Sequence, residues 1–150
     1  MSFSITFDYR FDHGGFFDDP ARRSALDAAA NAWSSFITDE FDDVPAGTQI
    51  TVFDPSDTWF GTEIVTLDAA IDDVLIFVGA QFLTDALAFA GPDGQGLTGD
   101  VYQSRVSGNF RQDGPVTDYE PWAGTITFDR GTLWHAGDAL PAANRYDLFS

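Results

Sequence analysis

The stretch IDDVLIFVGAQ, residues 71–81, contains an unbroken apolar run from Val74 to Val78. A run without polar alternation is typical of a strand that is covered on both faces of its sheet. We therefore predict a central strand here. The elements on either side of this strand then decide the fold class.

Upstream of this strand, SFSITFDYRF (residues 2–11) alternates apolar and polar residues, which predicts a half-buried first strand. A helix is predicted next, from residue 20 to about residue 39. Asp19 can cap it, and Pro20 suits the first helical position because its missing N–H costs nothing there. The expected core-facing residues follow helical spacing: Leu26, Ala29, Trp33, Phe36 and Ile37.

The remaining strands are predicted at four further stretches: QITVF (49–53), WFGTEIVTL (59–67), VYQSRVSGNF (101–110) and WAGTITFDRG (122–131). The last of these alternates apolar and polar residues. One long helix followed by consecutive strands predicts an α+β fold with a mixed sheet that carries the helix on one side. We find no internal repeat or second domain, so residues 1–150 are interpreted as one domain.

The composition excludes several classes of partner. The chain has 150 residues and a net charge of −17, and its seven basic residues are all Arg. Such a surface repels phosphate backbones, so we expect no nucleic-acid binding. No apolar run approaches 18 residues, so we expect no membrane insertion. The acids suit either halophilic solubility or Ca²⁺ binding.

Residues able to carry catalysis are few. The chain has no Cys, which excludes disulfides, thiolate zinc sites and a Cys nucleophile. The two histidines, His13 and His135, are far apart in sequence, and a zinc site built from them and nearby acids is one alternative. Asp129 and Asp138 lie in the region after a predicted strand, where carboxylates and backbone carbonyls could hold Ca²⁺. No catalytic residue is identified, because no set of residues forms a complete active site.

The stretch WAGTITFDRGTLWH, residues 122–135, resembles the strand that precedes the active-site helix in metzincin, matrixin-like zinc metallopeptidases of the kind that bacteria secrete. The first strand, the long helix and IDDVLIFVGAQ resemble the elements that come before it in that family. The resemblance implies a mostly parallel, twisted sheet of about five strands. It also implies that NRYDLFS (144–150), with Asn144 as a cap, begins the next helix.

The resemblance further implies a zinc-dependent endopeptidase, expected to be extracellular, that cleaves peptides or proteins. Leu87, Ala88 and Phe89 would belong to an edge strand that binds an extended substrate by main-chain pairing. The family often holds calcium in loops around this sheet, and Asp129 stands where the resemblance puts an acid after the strand. The family's H-E-x-x-H-x-x-G-x-x-H motif, which supplies the zinc ligands and the general base, is absent from these 150 residues. We therefore expect an N-terminal portion of the catalytic domain that is inactive alone and self-associates through an uncovered sheet face.

A second hypothesis needs no catalysis. The chain could be an acidic module, with or without Ca²⁺, that binds a peptide or a glycan. Four aromatic residues motivate this hypothesis, although each of them also suits a core position: Trp59, Phe60, Trp122 and Trp134.

Overall fold

The fold belongs to the α+β class, as the sequence predicts. The computed structural model describes residues 3–38, 43–57, 61–93 and 122–149. The predicted strand at residues 101–110, and Trp59 with Phe60, lie outside these ranges. The described elements, in chain order, are β1 (Ile5–Asp8), a 3₁₀ turn (Phe16–Asp18), α1 (Pro20–Ser34), β2 (Gln49–Phe53), β3 (Thr62–Thr66), β4 (Val74–Gln81), β5 (Ala88–Pro92), β6 (Ala123–Asp129), β7 (Trp134–His135) and β8 (Tyr146–Asp147).

The main sheet has the strand order β1-β4-β6-β5. The pairs β1–β4 and β4–β6 are parallel, and β5 pairs antiparallel with β6. The predicted central strand is therefore confirmed, since β4 has a neighbour on both sides. Its residues from Phe77 to Gln81 are buried.

Strands β2 and β3 form an antiparallel pair of their own, so the described main sheet has four strands where the resemblance implies about five. The buried side chains of this pair, Ile50, Val52 and Val65, form one core cluster with Phe77 and Ala123 of the main sheet. We call the side of the sheet that carries Phe77 the hairpin face. Packing these apolar side chains removes them from water, which accounts for the position of the β2–β3 pair.

Helix α1 packs on the opposite side of the sheet, which we call the helix face. Asp19 caps it, because its carboxylate accepts the N–H of Ala21 at 2.9 Å. The buried residues of α1 are Ala25, Leu26 and Ala30, and Ala25 and Leu26 share a cluster with Val78, Ala80 and Phe128 of the sheet.

The prediction of where α1 ends, and of which of its residues face the core, is partly wrong. The helix ends at Ser34, about five residues before the predicted end. Trp33 and Phe36 are 63% and 79% exposed, so neither side chain packs in the core. The buried residues of α1 lie before Ser34 and two of the three are alanines, and the helix contacts β1.

The prediction of a helix start at the C-terminal end is wrong. Tyr146–Asp147 forms strand β8, which pairs in parallel with β7. The N–H of Leu148 donates to the carbonyl of His135 at 2.8 Å, and the Leu148 side chain is buried in the helix-face cluster. Burial of Leu148 against the sheet therefore prevails over the local helix signal of Asn144.

Candidate functional site

In the described part of the main sheet, strand β5 forms one edge, and it includes two of the three residues predicted to bind substrate. Ala88 and Phe89 lie in the strand, and Leu87 immediately precedes it. All five residues of β5 are exposed. Leu87 is 40% exposed and Phe89 is 50% exposed, so both predicted apolar side chains are accessible to a ligand.

The pairing register fixes which backbone groups of β5 point away from the sheet. The N–H of Asp129 donates to the carbonyl of Leu87 at 2.7 Å, and the N–H of Asp93 donates to the carbonyl of Ala123 at 3.0 Å. Because hydrogen-bonded pairs alternate along an antiparallel ladder, residues 87, 89, 91 and 93 direct their backbone groups toward β6. Ala88 and Ala90 consequently direct their N–H and carbonyl groups outward, whereas Pro92 can offer only a carbonyl.

Shallow apolar depressions lie on both faces of the sheet beside β5. The depression on the hairpin face has a volume of about 270 Å³ and is lined by Phe53, Phe89, Ala90, Gly91, Pro92, Thr125 and Thr127. The space above Gly91 is open, since a Cβ atom built there would meet no atom within 4 Å. A side chain at residue 91 would therefore project into open space beside this depression.

The depression on the helix face has a volume of about 340 Å³, and its lining includes Val74, Ile76, Ala90, Pro92, Gly124 and Ile126. Val74, Ile76 and Ile126 are only partly buried, which leaves the start of β4 and part of β6 incompletely covered. The predicted self-association through an uncovered sheet face concerns this surface, and it stays a prediction.

A third cleft lies at the other end of β5. It has a volume of about 400 Å³ and is lined by Leu87, Ala88, Phe128, Trp134, Tyr146, Asp147 and Leu148. The Trp134 ring packs edge-on against Phe128, with centroids 5.6 Å apart, and its Nε1–H donates to the carbonyl of Asp129 at 2.8 Å. Trp134 therefore forms a fixed wall of this cleft. Trp122, in contrast, is 1% exposed and belongs to the core.

Sequence analysis missed most of this surface. Ala90, Gly91 and Pro92 complete the edge strand, whereas the resemblance named only Leu87, Ala88 and Phe89. Trp134 and Tyr146 line the third cleft because β7 and β8 pair, and the local sequence contains no signal for that pairing. Residues 86–92 are apolar without alternation. This pattern could have indicated a strand, but it fits an exposed strand as well as a buried one.

Asp129, predicted as a calcium ligand, lies at the end of β6 and is 9% exposed. One carboxylate oxygen accepts the N–H of Leu83 at 2.9 Å, and the other accepts the hydroxyl of Thr132 at 2.6 Å. Burial alone would raise the pKa of Asp129, but hydrogen bonds from the Thr132 hydroxyl and from the N–H groups of Leu83, Gly131 and Thr132 outweigh it and lower the pKa. Asp129 therefore organises the loops that contact it.

Asp138, the second predicted calcium ligand, is exposed and lies in the loop after β7. It lines a groove between α1 and the C-terminal loops, together with Ala21, Leu140 and Asp147. Among the described residues, no group of three or more His, Asp or Glu side chains is arranged to hold a metal ion. Calcium binding by Asp129 and Asp138 stays a prediction.

The histidines do not fit a catalytic zinc site. Nε2 of His13 lies 3.5 Å from a carboxylate oxygen of Asp54, and the His13 side chain is 65% exposed. Nε2 of His135 lies 2.6 Å from the carbonyl oxygen of Ala139. A peptidase zinc site needs three protein ligands gathered around one open position, and these two histidines have different partners in different parts of the chain.

Comparisons of the chain with protein-family models, with curated proteins and with solved structures found no match. Within the described ranges, no helix combines the length and the apolar character needed to span a bilayer.

Proposed function

We propose that this chain supplies the peptide-binding sheet of a secreted, metzincin-like zinc-dependent endopeptidase. In this proposal β5 binds an extended segment of a peptide or protein as an additional strand. The catalytic zinc and its general base belong to residues other than these 150. The chain alone therefore binds substrate but does not cleave it.

The strand order supports the resemblance on which the endopeptidase proposal depends. A parallel β1–β4–β6 arrangement ends in an antiparallel edge strand, and one long helix packs on one side of it. The resemblance assigns the border of the substrate cleft to the strand that follows the central strand. In this chain that strand is β5.

The observation that carries the proposal is the outward direction of the backbone groups at Ala88 and Ala90 in a fully exposed strand. An extended peptide placed beside β5 would accept the N–H groups of these residues and donate to their carbonyls. Pro92 limits the free edge, because a peptide residue opposite it finds no donor. The depressions on both faces would receive side chains that alternate along the bound peptide.

A proline at residue 90 tests main-chain recognition. Ala90→Pro removes the outward N–H and leaves the β5–β6 ladder intact, because the N–H of Ala90 does not take part in that ladder. The probe is a fluorescein-labelled peptide with the sequence SSSVFVLSSS, which has an apolar centre and no charge. We expect Ala90→Pro to weaken its binding about tenfold, the effect of one lost hydrogen bond of about 1.4 kcal/mol.

The control variant is Ala90→Ser, which keeps the N–H and should bind nearly as well as the unmodified protein. Fluorescence anisotropy measures both affinities. Equal affinity for the two variants would contradict recognition by the edge of β5. Absence of binding to the unmodified protein, up to the solubility limit of the peptide, would also contradict it.

The second candidate is a non-catalytic peptide-binding module. It needs only the exposed strand β5 and the cleft beside it, which Trp134 lines. An assay of casein cleavage distinguishes the two candidates. The protein tested is the product of the whole gene region that contains this chain. The endopeptidase proposal expects casein cleavage that a chelator abolishes, and the module expects none. Chelator-sensitive cleavage by the pure 150-residue chain would contradict both.

A further inference from the structure

Three aromatic residues line the cleft at the Leu87 end of β5: Phe128, Trp134 and Tyr146. Ala88 lines it as well and pairs with Phe128 across the β5–β6 ladder. Phe128 belongs to the helix-face cluster, so the side chain of Ala88 also lies on the helix face. Strand β5 itself therefore contributes only a methyl group to the cleft, and the space beside that methyl group is bounded by rings.

The walls of this cleft are held in place before any ligand binds. The Nε1–H of Trp134 donates to the carbonyl of Asp129 at 2.8 Å, and the ring centroids of Trp134 and Tyr146 lie 6.4 Å apart. The N–H of Tyr146 donates to the carbonyl of Leu133 at 3.0 Å. Tyr146 is nevertheless 54% exposed, so about half of its surface is accessible to a ligand. A site with fixed walls loses little conformational entropy on binding.

We infer that this cleft selects an aromatic side chain from the peptide residue that pairs with Ala88. The inference rests on the proposed function and specifies its substrate class. The outward N–H and carbonyl of Ala88 pair with that peptide residue, whose side chain then lies on the helix face and enters the cleft. A cavity of about 150 Å³ holds a benzene ring, and the cleft has a volume of about 400 Å³. Edge-to-face contacts with Trp134 and Tyr146 add to the gain from burying the bound ring.

The next peptide position on the helix face suits a different side chain. The peptide residue that pairs with Ala90 lies beside the helix-face depression, whose large lining residues are aliphatic: Val74, Ile76 and Ile126. A branched aliphatic side chain matches that lining. Antiparallel pairing is the more stable arrangement, and it orders the peptide from the residue opposite Ala90 to the residue opposite Ala88. The selected segment therefore reads, from its N-terminus, aliphatic residue, any residue, aromatic residue.

Three fluorescein-labelled peptides test the type and the order of these side chains: SSSITFSSS, SSSITASSS and SSSFTISSS. Fluorescence anisotropy measures their affinities. We expect SSSITFSSS to bind about tenfold more tightly than SSSITASSS, because it places a ring in the cleft. SSSFTISSS has the same composition in reversed order and should bind about threefold more weakly than SSSITFSSS. Equal affinity of SSSITFSSS and its reverse would overturn the assignment of the aromatic residue to the position opposite Ala88.

Two variants locate the effect. Ala88→Leu fills the cleft from the strand and keeps the outward N–H, so the preference for SSSITFSSS over SSSITASSS should fall below about twofold. Tyr146→Ala removes an exposed wall of the cleft and should reduce the preference about threefold. Ala69→Leu, the control, makes the same change as Ala88→Leu in an exposed residue beside β1, at the other edge of the described sheet. It should leave the preference unchanged.

The outcomes separate the inference from the proposed function. If all three peptides bind equally and Ala90→Pro weakens each of them, edge recognition stands and the aromatic preference is wrong. If none of the peptides binds the unmodified protein, both are overturned. A preference for SSSITFSSS that persists in both Ala88→Leu and Tyr146→Ala would overturn the inference alone, because the ring would then bind elsewhere.

Discussion

Strands β4 and β5 are both apolar in sequence, yet they lie in opposite environments. The second half of β4 is buried, whereas every residue of β5 is exposed. Strand β4 has neighbours on both sides and is covered by the β2–β3 pair on one face and by α1 on the other. Among the described strands, β5 has a neighbour on one side only. The position in the sheet, and not the apolar content, therefore decides whether these side chains are buried.

The comparison also explains why β5 is a functional candidate. An exposed apolar edge strand is a template for unwanted pairing, and natural proteins commonly protect such edges with charges, proline or short length. Strand β5 is short, ends in Pro92 and is bounded by Asp85 and Asp93. It nevertheless keeps outward N–H groups at Ala88 and Ala90 beside apolar depressions. Those groups suit pairing with an extended peptide.

The same substitution in the two strands should have very different effects on stability. Phe77 in β4 is completely buried, and its ring centroid lies 5.7 Å from that of Phe11. Phe77→Ala should lower the free energy of unfolding by about 3–5 kcal/mol, because it removes a buried ring and leaves a cavity. Phe89→Ala in β5 should lower it by about 1 kcal/mol or less, because Phe89 is half exposed.

Urea unfolding followed by tryptophan fluorescence measures both values. A cost for Phe89→Ala close to that for Phe77→Ala would mean that Phe89 is part of the core. The distinction between a structural strand and a binding strand would then disappear.

The elements predicted best are those whose signal is local. The unbroken apolar run identified β4, and the Asp19–Pro20 cap identified the start of α1. The order of the strands in the main sheet, β1-β4-β6-β5, was not predicted. The pairing of β1 with β4, and of β4 with β6, depends on contacts between distant parts of the chain. No periodicity of a single segment contains that information.

The site was predicted only in part, because its remaining features also depend on pairing between strands. The family resemblance placed Leu87, Ala88 and Phe89 in an edge strand, but the direction of each N–H group, outward or inward, follows from the register with β6. Trp33 shows the converse error, because helical spacing placed it in the core and the structure leaves it 63% exposed. Spacing identifies which residues share a face, and only the packing of neighbouring elements decides whether that face is covered.

Two proline substitutions separate the inward and outward sides of β5. Phe89→Pro removes an N–H that donates within the β5–β6 ladder and should lower the free energy of unfolding by about 2 kcal/mol. Ala90→Pro removes an outward N–H and should change it by less than about 1 kcal/mol. Urea unfolding measures both. The reverse order of effects would show that the register of β5 is shifted by one residue, and it would remove the basis for outward recognition.

The smallest effect concerns Asp129, which connects the two strands compared here. Its carboxylate accepts the N–H of Leu83, which lies in the segment that joins β4 to β5, and the hydroxyl of Thr132. Asp129→Asn should lower the free energy of unfolding by about 1 kcal/mol at pH 7, since an amide replaces one accepting oxygen with a donor.

The direction of the pKa shift of Asp129 determines how this effect changes with pH. The pKa of Asp129 is lower in the folded protein than in the unfolded chain, where an Asp titrates at about 3.9. The stabilisation from the ionised carboxylate is therefore fully present above about pH 4 and is lost as the pH falls through the folded pKa. The difference in unfolding free energy between the unmodified protein and Asp129→Asn should be constant from pH 5 to 7 and should shrink below pH 4.

Asp68→Asn, which changes an exposed acid beside Arg10, is the control, and its effect should stay within about 0.5 kcal/mol. A constant difference down to pH 2 would mean that the Asp129 carboxylate does not hold the β4–β5 connection through its charge, and the edge strand would then owe its position to the ladder with β6 alone.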